Sequence, residues 1–164
     1  MNPLLDFKIR FSDAAYAIES TPKALRNWIQ KGQVTLVSED TGGWREFSLA
    51  EIAILAVIRR LVNFGMRVEE ANQLANDAAR SFFEYEKISA KAFKLEIRPV
   101  SMLVWRDPEW KMKLLERDEP LPDGLDTFLV IKLNRVFERI FERIFRRASN
   151  TKVGGDGGGD GGPR

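Results

Sequence analysis

Between Thr21 and Gly32 the sequence reads T-P-K-A-L-R-N-W-I-Q-K-G. Lys23, Arg26 and Lys31 supply three cations with no carboxylate among them, and Asn27 and Gln30 add paired donors and acceptors. Arginine can grip a guanine edge or a phosphate through two parallel hydrogen bonds, and asparagine or glutamine can do the same on adenine. If Leu25, Trp28 and Ile29 turn inward, helical spacing leaves Lys23, Arg26, Asn27 and Gln30 together on the outer side. The plainer alternative is that these groups are only hydrated, as on the polar side of any surface helix.

Such a helix needs a rigid support. Phe11 to Ile18 reads as a short helix, with Ser12 as its N-cap and Ala15 and Ile18 on one face. Glu19-Ser20 makes a brief turn. Thr21 then caps the second helix, Pro22 occupies the first position, where a missing N–H costs nothing, and Gly32 stops it. This is the order of a helix-turn-helix. Val34 to Val37 and Trp44 to Ser48 are β-type runs around the turn residues Ser38 to Gly43, so a hairpin is expected there. Ser48 with Glu51 forms a capping box for a long helix whose stripe is Ile52, Leu55, Ala56, Ile58, Leu61 and Val62, ending near Gly65. A fourth helix runs from Glu69 to about Phe83, with Ala71, Leu74, Ala75 and Ala78 at three- and four-residue intervals.

The second half changes character. Prolines at 99, 108, 120 and 122 interrupt any long helix. Val100 to Arg106 and Trp110 to Glu116 read as strands around Asp107-Pro108, and Asp126 to Leu133 as a third. In the final helix Leu133, Val136, Phe137, Ile140, Phe141, Ile144 and Phe145 form one broad apolar face. Arg135, Glu138, Arg139, Glu142, Arg143, Arg146 and Arg147 form the opposite side, expected in water. That apolar face is wider than a coiled-coil seam, so it is expected to pack partly on the strands of its own chain and partly on a second copy. The alternating charge signs of the other side argue against a membrane-surface helix. The Gly/Asp-rich tail is expected to be disordered.

Composition limits the chemistry. The chain has 164 residues, no cysteine and no histidine. Disulfides, thiol nucleophiles, histidine bases and most zinc sites are therefore excluded. No carboxylate pair stands out, so the expectation is a non-enzyme without a cofactor. The glycines of the tail precede no helix and carry no Lys-Ser/Thr, so they are not a phosphate loop. No apolar run approaches the roughly 20 residues of a membrane helix. No secretory signal is seen at the N-terminus, and cytoplasm is expected. Net charge is only +2. The local excess from Ser20 to Val37 matters more, because phosphates respond to local potential.

The N-terminal half resembles the MerR family of winged-helix DNA-binding regulators, from about Ile9 to Ala79. F-S-D-A-A matches the first helix, T-P-K-A-L-R-N-W-I-Q-K-G the recognition helix, G-W-R-E-F-S the return strand of the wing, and I-R-R-L-V-N-F-G-M-R-V-E-E-A the helix pair behind it. The resemblance implies that the recognition helix enters the major groove and that the wing and following helices touch flanking phosphates. It makes Arg26 the recognition-helix arginine, Arg45 the wing arginine and Trp44 the wing aromatic, which either packs on the helix or meets the DNA backbone. The expected DNA-binding set is therefore Thr21, Lys23, Arg26, Asn27, Gln30, Lys31, Trp44 and Arg45.

There are departures from the family. Asn27 and Trp28 stand where two tyrosines are usual, the outgoing wing lacks its proline and arginine, and the long coiled-coil helix and metal-sensing cysteines are missing. R-N-W-I-Q-K-G also resembles excisionase and phage small-terminase winged helices.

The expected fold is mainly α with small β. Residues 1–82 would be a winged helix-turn-helix, 83–149 a small α+β dimerisation or effector region ending in the amphipathic helix, and 150–164 the tail. The expected function is a transcriptional regulator that binds double-stranded DNA as a homodimer, with its effector unspecified. The alternatives are a non-enzymatic DNA-binding accessory protein of a phage or mobile element, and a protein-interaction module that has lost DNA.

Overall fold

A computed structural model of the chain describes residues 8–36, 45–89 and 100–153. The described elements are β1 (Ile9–Arg10), α1 (Phe11–Ala17), α2 (Pro22–Gln30), β2 (Glu46–Phe47), α3 (Leu49–Asn63), α4 (Val68–Ser89), β3 (Ser101–Asp107), β4 (Glu109–Leu115), β5 (Phe128–Lys132) and α5 (Leu133–Val153). The architecture is mainly α with two small antiparallel sheets, as the sequence predicts.

Local chemistry sets the helix ends. Thr21 Oγ1 accepts the Ala24 N–H at 3.1 Å, and Pro22 opens α2. At the other end the Gly32 N–H reaches the Ile29 carbonyl and the Gln33 N–H reaches the Trp28 carbonyl, with Gly32 at φ +63°. This crossed pair needs a left-handed residue, which glycine adopts without strain. The Ser48–Glu51 capping box forms in both directions. Glu51 is buried, so its carboxylate is spent on the Ser48 backbone N–H and hydroxyl.

Two expectations need correction. Ser12 is not the N-cap of α1: the helix begins at Phe11 directly after β1, and Arg10 holds the cap position without a side-chain bond. Pairing of β1 with β2, Ile9 opposite Phe47 and Arg10 opposite Glu46, carries the chain straight into the helix. Val34 to Leu36 is not a strand. The Thr35 N–H is taken by Asn72 Oδ1 at 2.9 Å, and Asn72 Nδ2 donates back to Thr35 Oγ1, so this segment is pinned along α4. Val37 and the turn Ser38 to Gly43, with Trp44, lie outside the described residues. The last described helix, α5, runs from Leu133 to Val153.

The second half forms an antiparallel sheet in the order β4-β3-β5, with Val104 between Met112 and Leu129. One face carries Met102, Val104 and Ile131 into a buried cluster that also holds Ala14, Leu25, Phe47, Ile52, Leu55, Ile58 and Leu61. That cluster runs without a break from the helix-turn-helix to the sheet. Leu133, Val136, Ile140 and Ile144 complete it from α5, while Phe137 and Phe141 are half-buried and Phe145 is 61% exposed. The main partners of α5 are α1 and α3, and the local sheet is a lesser one. Its cationic side is not simply in water, as the next section describes. An apolar crevice between α3, α4 and α5, lined by Ala53, Ile54, Val57, Ala75, Ala78 and Phe137, has a volume of about 10 Å³. That is room for about one water, not for an effector molecule.

Candidate nucleic-acid interface

In α2, Leu25 is fully buried, Trp28 is 8% exposed, and Ile29 packs partly against the same core. This fixes the rotation of the helix. Thr21, Lys23, Arg26, Asn27, Gln30 and Lys31 are all exposed, so the structure gathers the six positions expected on this helix onto its solvent side. Among the described residues Lys23, Arg26 and Lys31 form no salt bridge, which leaves their charge available to an external anion. The Arg26 guanidinium lies 5.4 Å from the centre of the Phe11 ring, and Phe11 in turn packs on Phe47 at 5.8 Å. A stacked guanidinium keeps its outer N–H groups directed away from the ring.

Arg45 is half-buried, with its guanidinium carbon 5.7 Å from the Phe47 ring centre. It therefore lies beside Phe47, where the chain enters β2. Trp44 lies outside the described residues.

The segment that leaves α2 is held by polar contacts that helical periodicity does not reveal. Gln33 Nε2 donates to Glu69 Oε1 at 2.8 Å. That bond holds the Glu69 carboxyl below its ordinary value; its own backbone N–H helps, and the charges of Arg67 and Lys31 add to the effect against a small loss of hydration. The carboxylate of Glu69 thus stands on α4 close to the end of the basic helix.

The turn between α1 and α2 holds the largest surprise. Glu19 adopts φ +57°, a left-handed conformation that is costly for a residue with a Cβ. It takes the place that glycine holds at the end of α2: the Glu19 N–H reaches the Tyr16 carbonyl and the Ser20 N–H the Ala15 carbonyl. Its carboxylate gathers Arg60 of α3 at 3.0 Å, and Arg143 and Arg139 of α5 at 3.6 and 3.8 Å. Its carbonyl accepts from Arg59 Nε at 3.3 Å. Further along α5, Arg147 pairs with Asp13 at 2.7 Å and donates to the Ser12 carbonyl at 3.2 Å. Arg139, Arg143 and Arg147, spaced by four, thus run along Glu19, Tyr16 and Asp13, spaced by three. This corrects the expectation that the polar side of α5 faces only water. No local signal marks it, because each helix read alone has an ordinary charged side.

The described residues contain no group of acidic side chains arranged to hold a metal ion, and no helix long and apolar enough to cross a membrane. A comparison with curated proteins gave no match. Residues 9–78 match the family model described as MerR HTH family regulatory protein, a span that runs from β1 into α4. The N-terminal part of this chain, with its basic α2 set on α1 and backed by α3 and α4, is thus similar to the helix-turn-helix domain of the MerR family.

Proposed function

We propose that this chain is a sequence-specific DNA-binding transcriptional regulator, non-enzymatic and cytoplasmic. The observation that carries the reading is the solvent side of α2, where Lys23, Arg26, Asn27, Gln30 and Lys31 stand together on a helix whose rotation is fixed by Leu25 and Trp28. In this reading α2 enters the major groove, the wide groove that admits a helix and presents a distinct pattern for each base pair. Arg26 pairs with a guanine or a phosphate, and Asn27 and Gln30 reach neighbouring base edges. Lys23, Lys31 and the Thr21 end of the helix meet phosphates, and Trp44 and Arg45 serve the same purpose on the wing between α2 and α3. Residues 1–82 form the reader, and residues 83–149 join it to a second copy, since one such helix gives a small interface and two copies on one site restore specificity.

The experiment is selection of bound duplexes from a random pool, followed by titration of the selected site at several salt concentrations. The expected result is an enriched two-fold related sequence whose affinity falls linearly on a log–log plot with salt, as phosphate contacts release counterions. A pool with no enrichment and no affinity at low salt would overturn the reading and favour a protein-interaction module.

A further inference from the structure

We propose that the outer edge of β5 is the surface through which two copies of the chain pair. The proposal deepens the two-copy reading above and rests on it.

The backbone of β5 has two kinds of residue. The Leu133 N–H donates to the Val100 carbonyl at 3.0 Å, which continues the β3–β5 ladder by one pair. In an antiparallel ladder, bonded and non-bonded pairs alternate. Leu129, Ile131 and Leu133 therefore direct their N–H and C=O groups at β3. Phe128, Val130 and Lys132, which oppose Trp105, Leu103 and Ser101, direct theirs away from it. Among the described residues no strand pairs with that outer side.

The same three residues carry the exposed side chains. Phe128 is 42% and Val130 39% exposed, while Ile131 on the opposite face is buried in the core. The strand is thus anchored from below and presents apolar side chains together with backbone groups that no described strand pairs. Unprotected edges of this kind recruit another strand, and proteins normally blunt them with charge. The other edge of this sheet follows that rule. On β4 the exposed positions are Glu109, Lys111 and Lys113, and α4 packs against that strand. On β5 the only charge is Lys132.

The occupant is a second copy because the edge is complementary to itself. A two-fold axis through Val130 sets it opposite the partner's Val130 and sets Phe128 opposite the partner's Lys132. An aromatic ring then faces an ammonium group across the pair, which is favourable, and the outward N–H and C=O groups of all three residues close into one ladder. The contact is isologous, as a two-fold dimer requires, and joins two three-stranded sheets into one of six strands.

The test is the mass of the full chain in solution without DNA, by sedimentation equilibrium. The wild type is expected at twice the 18.8 kDa chain mass. Val130→Lys and Val130→Glu each place like charges across the axis and are expected at the single-chain mass, and an equimolar mixture of the two is expected to return to twice that mass. A second readout needs no variant: the Val130 amide, without a partner among the described residues, is expected to exchange slowly with deuterium in the dimer and fast on dilution. A wild-type monomer, variants that keep the dimer mass, a mixture that stays monomeric, or fast Val130 exchange in the dimer would each overturn the proposal. DNA affinity is measured separately. A dimer that follows the mutational pattern but ignores all duplexes sinks the regulator and leaves this edge standing.

Discussion

Arg143 of α5 holds Tyr16 of α1 in two ways: its Nε donates 2.9 Å to the Tyr16 carbonyl, and its guanidinium carbon lies 4.2 Å from the Tyr16 ring centre. Arg147 sits over the same ring at 5.1 Å. The two residues are 127 positions apart, so the last helix of the chain grips the supporting helix of the reader. Arg143→Ala is expected to lower stability by about 1–3 kcal/mol, the scale of a hydrogen bond from a charged group with a modest cation–π term. Arg143→Lys is expected to recover little of it, since an ammonium lacks the planar fork. Urea unfolding of the full chain checks this, and an unchanged midpoint in Arg143→Ala would show the grip to be energetically idle.

Arg26→Ala is expected to leave the fold intact and to cost about 1–3 kcal/mol of specific DNA affinity, the size of one bidentate base contact. Fluorescence anisotropy on the selected duplex and on a scrambled one separates the two effects. Equal affinity and equal discrimination in the variant would remove Arg26 from the groove.

Trp28→Ala is expected to act on folding instead. Its side chain lies on the core side with Leu25, and truncating a large buried aromatic costs about 3–5 kcal/mol. Thermal melting checks this. A normal melt with lost DNA binding would mean that Trp28 faces the groove.

Glu69 supplies a pH dependence. Its folded carboxyl titrates below the ordinary range, first because of the Gln33 hydrogen bond. A depressed folded pKa contributes stability above the unfolded pKa, and that contribution is lost as pH falls through the folded value. Gln33→Ala is expected to move the Glu69 midpoint upward in an NMR titration of the side-chain carboxyl carbon. A midpoint that stays put would assign the shift to the backbone and to Arg67 and Lys31.

Much of the reader is a matter of local sequence. Thr21-Pro22 and Gly32 delimit α2 through short-range caps, and Ser48 with Glu51 does the same for α3. Periodicity places Leu25 and Trp28 inside and Lys23, Arg26, Asn27 and Gln30 outside, because a helix has one rotation that buries its apolar side. The three strands of the second half were legible from β-type runs bounded by turns. Tertiary structure decided whatever depends on a distant partner. Val34 to Leu36 has strand composition, yet the Asn72 side chain claims the Thr35 N–H. Glu46-Phe47 pairs with Ile9-Arg10 through a ladder between residues far apart in sequence. Glu19 takes a backbone conformation that its residue type disfavours, and arginines from α3 and α5 surround it. The charged side of α5 reads as a solvated surface from its own sequence, and only the crossing of α5 over α1 turns Arg139, Arg143 and Arg147 into a clamp. A charge shows its type and spacing in the sequence, but its partner is known only once the chain has folded back on itself.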